Sequence, residues 1–261
     1  MAATLSEFKR YKPWEVDGKF FGDGREVALL DYVYGHPELD QMRGSPAKVC
    51  QAIDAFARSH TGLINVGLMK GAIVTELIAR NKPSVMLELG GYVGYSAILF
   101  GDALRQAGGS RFFSVEKNPL FAAVAASLID LAGLRDTVRV VVGTGAEGIQ
   151  RLHGEGALGT QIDMAFFDHH KPSYTNDLKL CERLGLIGKG TVLVADNMIL
   201  PGNPEYAAYV RASVAEKLQK AAGGEEMGNP NLEYVSRFVP SYEPSGEQDA
   251  LEITECTGIA A

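Results

Sequence analysis

The sequence predicts an α/β fold, a mostly parallel seven-stranded sheet with helices on both faces and an antiparallel hairpin at its carboxyl end. Three observations predict it. Short apolar runs alternate with segments of helical period, the pattern of parallel strands joined by crossover helices. The run Val85-Met86-Leu87-Glu88-Leu89 passes through Gly90-Gly91-Tyr92-Val93-Gly94 straight into a helix start at Tyr95-Ser96. Residues without Cβ allow so sharp a turn and a close approach to a ligand. Near the end, 233–238 and 251–254 alternate apolar with polar residues on either side of a Pro/Gly/Ser-rich loop, which predicts a hairpin.

Taken in order, residues 1–24 have mixed polarity and carry the only tryptophan, Trp14. They read as an irregular arm laid on the domain or as a mobile tail, and 25–261 as one domain. Residues 25–34 have helical period through Val27, Leu30 and Val33, and Gly35-His36-Pro37 stops them. Ser45-Pro46 starts a helix to about residue 58, with Ser at the N-cap and Pro in the first turn. A short loop at 63–67 precedes a helix over 70–80, which Asn81-Lys82-Pro83 ends. After the strand at 85–89 the pattern predicts helices at 94–107, 119–132, 145–152 and 177–184. Strands at 111–116, 138–142, 162–167 and 190–195 alternate with them. A long helix at 205–222 and a polar, glycine-bearing loop at 222–231 lead to the hairpin.

At 261 residues the chain is long enough for a full two-layered core. Its 46% hydrophobic and 22% charged residues are ordinary for a protein in water. A net charge of −7 argues against a nucleic-acid partner held through phosphates. Cys50, Cys181 and Cys256 lack metal-ligand spacing and read as reduced thiols. The first nineteen residues carry no apolar signal core, and no stretch has the apolar length of a membrane span. The expectation is a soluble, cytoplasmic protein with no membrane partner, a monomer or a dimer.

The acids locate the chemistry. Glu88 sits in an apolar strand, an expensive place for a charge without a partner. Glu116 ends the next strand, where an acid usually reads a ribose diol. A pyrophosphate loop would not carry an acid pointing into it, so the pattern favours S-adenosylmethionine over a dinucleotide. Two further strands end in acids, Asp168 before His169-His170-Lys171 and Asp196 before Asn197. Each acid alone could be a helix cap. Together at neighbouring strand ends, Asp168, Asp196 and Asn197 form an oxygen-only set that suits Mg2+. Zinc on His169 and His170 is disfavoured, because adjacent side chains point apart and no other ligand has suitable spacing. Lys171 is either a solvated lysine or, beside a divalent cation that disfavours its charged form, a general base.

These residues resemble one family. Glu88 to Ser96, Val115-Glu116-Lys117-Asn118-Pro119, Asp168-His169-His170-Lys171, Ala195 to Gly202 and, upstream, Asn65-Val66-Gly67 look like the motifs of the catechol O-methyltransferases. The likeness runs in consistent order from about residue 22 to about residue 258. It implies the Rossmann-like class I methyltransferase fold, S-adenosylmethionine and Mg2+. By this resemblance Val66, Glu88, Gly90, Tyr92 and Ser96 line the methionine end, and Glu116 holds the ribose. Lys117, Gly143, Asp168 and His170 complete the cofactor site, and helices within 25–82 help to cover it. Asp168, Asp196 and Asn197 bind the metal, Lys171 is the base and Glu233 binds the second hydroxyl of a catechol. The chain departs from the pattern in three places. His170 replaces a tryptophan, residues 62–64 replace a segment that carries Trp and Met over the substrate, and 212–231 is longer. The alternatives are a caffeoyl-CoA-type O-methyltransferase, a dinucleotide-dependent oxidoreductase, and a non-catalytic cofactor-binding regulator.

Overall fold

A computed structural model describes residues 10–260, so the first nine residues of the expected arm and the last residue of the chain lie outside it. Strand β1 (Val85–Leu89) is buried along its whole length, as a strand covered on both faces must be. It pairs in parallel with β2 (Arg111–Glu116) and β4 (Met164–Phe167). β3 (Val138–Val142) lies outside β2, and β5 (Val192–Ala195) beyond β4. The hairpin of β6 (Leu232–Tyr242) and β7 (Gln248–Ile259) completes the order β3-β2-β1-β4-β5-β7-β6, with β7 antiparallel to both its neighbours.

Successive strand residues face opposite layers. Met86, Phe112, Phe166 and Val194 pack into one core, with α3 (Pro46–Ser59), α4 (Gly67–Asn81), α5 (Tyr95–Gln106) and α6 (Pro119–Leu131). Leu87, Phe113, Ala165 and Leu193 pack into the other, with α7 (Gly145–Gly154), α8 (Tyr174–Arg183) and α9 (Pro204–Arg211). Two helices precede α3, namely α1 (Arg25–Tyr34) and the single turn α2 (Leu39–Met42).

Two expectations change. The long helix over 205–222 is broken, for α9 stops at Arg211 and a new helix, α10 (Val214–Ala222), starts after Ala212 turns to an extended conformation. Ser213 caps α10 and Glu216 reaches back, a capping box written in the sequence as Ser-x-x-Glu. The hairpin strands run well beyond the alternating stretches, and β6 tolerates Pro240 because it is an edge strand.

The described part of the arm lies on the domain. Tyr11 donates its N–H to the Pro244 carbonyl at 2.9 Å and Lys12 to that of Ala57 at 3.0 Å. The three cysteines are buried and free. Among the described residues no helix is long and apolar enough to cross a membrane.

Candidate active site

The parallel strands present their carboxyl ends side by side, where ligands bind in open α/β sheets. Ladder bonds carry the alignment past the strands. Gly90 donates to Val115, Asp168 to Leu89 and Asp196 to Phe167, all at 2.8–2.9 Å. Gly90 has φ 97°, and a Cβ there would collide with the Asp168 carbonyl, so the glycine turn and the β4 loop touch directly. Gly94 caps α5 at φ 88°.

Around this turn the expected cofactor residues gather. Glu116 accepts from the N–H of Tyr92 at 2.8 Å and of Asn118 at 2.7 Å. Burial still holds its carboxyl above the usual value. Gly143 donates to the Glu116 carbonyl at 3.0 Å, which ties the end of β3 to that loop. Lys117, next in the chain after Glu116, is exposed. Glu88 is shut off from solvent, and burial pushes its carboxyl up to about 8 against the hydroxyls of Ser114 and Ser96. Two buried polar atoms here have no partner, Glu88 Oε1 and the Asn65 Nδ2 that precedes Val66. His170, by contrast, is exposed, with Nδ1 3.2 Å from the Ser173 hydroxyl. His169 is held at Nε2 by Asp177 at 2.8 Å and stacks on Tyr174.

Asp168 follows β4, and Asp196 and Asn197 follow β5, whose ends lie side by side in the sheet. Lys171 opens a 3-10 turn and donates to Asp168 Oδ1 at 3.1 Å and to the Tyr174 hydroxyl at 2.8 Å. Burial raises the Asp168 carboxyl, and the Lys171 ammonium opposes it. Asp196 Oδ1 accepts from the Asn197 N–H and from Lys70 Nζ, both at 2.7 Å, which leaves Oδ2 free. Asn197 adopts φ 62° and directs its NH2 at Glu243 Oε1, 2.6 Å away, and at Asp249 Oδ2, 3.3 Å away. An amide held between two carboxylates presents its donors to them, so Oδ1 remains the free acceptor. Two carboxylates and an amide oxygen fit a hard divalent cation.

Sequence reasoning missed Lys70, Glu243 and Asp249. The Lys70 ammonium lies 2.7 Å from Glu243 and 2.9 Å from Asp249 as well as 2.7 Å from Asp196, and all four side chains are buried. Among the described residues it fills the one group of three clustered carboxylates, and it compensates part of their charge in place. Burial would lower the Lys70 pKa, but the three acids outweigh it and raise it. Burial would likewise raise Asp249, yet Lys70 brings it down to about 2. Nothing in a lone helical lysine marks this role. Glu243 sits in the turn Tyr242-Glu243-Pro244-Ser245-Gly246, which is legible as a hairpin tip but not as part of a site.

The expected role of Glu233 does not match its place. Ala195, at the site end of β5, pairs with Glu252, whereas Glu233 pairs with Gly258, six residues further along β7 and roughly 20 Å away. Glu233 therefore starts β6 at the opposite edge of the sheet. Glu243, at the tip of the same hairpin, is the carboxylate that the fold delivers.

Known proteins are consistent with this geometry. A family model described as a methyltransferase domain matches residues 87–198. The chain is 39% identical to mouse catechol O-methyltransferase over 198 residues, 76% of this chain and 72% of that protein. The bovine enzyme of the same name is 38% identical over 74% and 68%. A probable O-methyltransferase of Mycobacterium tuberculosis is 40% identical over 73% and 80%. Among solved structures, the Bacillus cereus O-methyltransferase in complex with SAH superposes with a TM-score of 0.61 at 18% identity, covering 87% of this chain and 99% of that one. A putative caffeoyl-CoA O-methyltransferase from Staphylococcus aureus gives 0.54 at 17%, covering 90% and 100%. At such identities these structures speak for the fold.

Proposed function

The chain belongs to the catechol O-methyltransferase family, and from that premise we propose that it moves a methyl group from S-adenosylmethionine to one hydroxyl of a catechol-type acceptor with the help of Mg2+. It is an enzyme of the S-adenosylmethionine-dependent O-methyltransferase type. The observation that carries the finer reading is the convergence of Asp168, Lys171, Asp196 and Asn197, with the Asn197 amide held so that its oxygen stays free.

Asp168, Asp196 and Asn197 would hold the metal through their free oxygens. The chemistry gained from Mg2+ there is stabilisation of the acceptor oxyanion. Glu116 would hold the ribose hydroxyls. The unpartnered Glu88 Oε1 and Asn65 Nδ2 offer an acceptor and a donor to the charged amino-acid end of the cofactor. Val66, Gly90, Tyr92 and Ser96 surround that end. Lys171 would take the acceptor proton at Nζ as the free amine, after its own extra proton has left to solvent, and Glu243, through Asn197 and Lys70, keeps the ligand set oriented. As the acceptor oxygen bonds the methyl carbon, the carbon–sulfur bond breaks and its electron pair stays on sulfur. Alignment of this kind contributes roughly 7–11 kcal/mol in well-oriented systems.

The test is incubation with labelled S-adenosylmethionine and simple catechol, with Mg2+ or with chelator, for the wild type and Lys171→Met. The expected result is labelled monomethyl catechol with Mg2+, none with chelator, and a large loss of kcat in the variant at unchanged cofactor affinity. Full turnover in chelator would remove the metal from the reading. Turnover of a CoA ester alone would replace the acceptor.

A further inference from the structure

β6 ends the sheet, and among the described residues no strand pairs with its outer side. It is 11 residues long. An unpaired strand is a template for another, and edges are usually blunted by lysine, proline or a bulge. The stretch Tyr234-Val235-Ser236-Arg237-Phe238 has no lysine and no proline. The one irregularity in the hairpin, at Glu233/Tyr234, places its extra residue, Thr257, in β7. Val235 is 62% exposed and Phe238 43%. Glu233 and Arg237 are exposed as well, and among the described residues neither enters an ion pair.

The backbone alternation fixes which groups lie open. Asn231 accepts from the N–H of Ala260, just past β7, at 2.8 Å. Odd-numbered residues of β6 therefore turn their main chain to β7, and even-numbered residues turn it outward. Two observations agree. The Ser236 and Thr254 hydroxyls lie 2.6 Å apart, the close approach of a cross-strand pair without main-chain bonds between its members. Pro240, with no N–H to give to β7, falls in the outward set. Lys217 of α10 donates to the Leu232 carbonyl and closes the edge at its start. Open N–H and C=O groups thus run from Tyr234 to Phe238, and Pro240 limits them at the far end.

We propose that this edge pairs with the same edge of a second copy of the chain, antiparallel about a two-fold axis at Val235. A two-fold contact has to be self-complementary, and here charge selects the register. Tyr234 and Ser236 exchange main-chain bonds with Ser236 and Tyr234 of the second copy. Val235 faces Val235 in a pair without main-chain bonds, about 4.5 Å apart at Cα, which covers both side chains. Glu233 and Arg237 share the face of Val235, since side chains alternate along a strand, and they meet Arg237 and Glu233 of the second copy. An axis at Glu233 or at Arg237 would set that residue against its own like charge. An axis at Ser236 would leave both charges opposite valines.

Sedimentation velocity on the full chain, from low to high micromolar, tests the pairing for wild type, Glu233→Arg, Arg237→Glu and the double exchange. Wild type should pass from monomer to dimer as concentration rises. Each single variant sets like charges opposite one another and should weaken the dimer by at least about tenfold. An equimolar mixture of the two single variants, and the double exchange by itself, should return to the wild-type level, because both rebuild pairs of opposite charge. Val235→Lys, at an exposed position, carries the test if a charge variant fails to fold, and it should be monomeric. A wild-type protein that stays monomeric throughout overturns the pairing and leaves the edge to a strand from another protein. A dimer indifferent to the single exchanges is held by another surface and overturns it as well.

Discussion

The Lys70 ammonium stands 2.7 Å from Asp196 Oδ1, and both side chains are closed to solvent. A buried lysine among three carboxylates is a compensation for charge. Lys70→Met should cost about 3–5 kcal/mol of stability, because removing one partner strands the others. Urea unfolding checks it. Adding Asp249→Asn to that variant should recover part of the loss, and a double-mutant cycle measures the coupling.

Glu243 and Glu233 make opposite predictions. Glu243→Gln should lower kcat/KM by about 10–100-fold, the range for groups that orient metal ligands. Glu233→Gln should leave kcat/KM unchanged, since Glu233 lies at the far edge of the sheet. Steady-state assays of the two variants, made side by side, decide it, and the reverse ranking would return the role to Glu233.

Gly90 has no room for a side chain and has a left-handed φ of 97°. Gly90→Ala should cost about 1–3 kcal/mol in backbone strain, with further loss from the contact with the Asp168 carbonyl. Thermal melting should show the destabilisation, and calorimetry should show weakened S-adenosylhomocysteine binding. Wild-type values in both would mean that the turn is looser than its contacts imply.

Asp23 links the arm to pH. The Arg25 guanidinium donates to both its oxygens, at 2.8 and 2.7 Å, and holds its carboxyl down at about 2, from 3.8. A lowered folded pKa means that the carboxylate contributes stability that is complete above 3.8 and is lost as the pH falls through that value toward about 2. Asp23 is open to solvent, so wild type should exceed Asp23→Asn by about 1 kcal/mol or less at neutral pH. Melting curves at stepped pH should show this gap closing between pH 4 and 2. A gap that persists at pH 2 would contradict it.

The strands at 85–89, 111–116 and 138–142 were legible to the residue, because apolar runs bounded by glycine, proline and polar turns leave few alternatives. Asp168, Asp196 and Asn197 were legible for the same reason, since each follows a strand and parallel strands end together. The break at Ser213 was written as a capping box but was masked by helical period on both sides.

Local periodicity and backbone sterics are enough to place the succession of strands and helices, the glycine turn, and the acids at the strand tips. They are not enough to show that Lys70 pairs with Asp196, that Glu243 rather than Glu233 lies at the site end of the hairpin, or that the arm packs against Gly62. Each joins residues far apart in the chain, across the pairing of β5 with an antiparallel hairpin or the packing of a segment onto a loop. The free energy of such contacts comes from burial and charge compensation between elements, and no local pattern of residues records it.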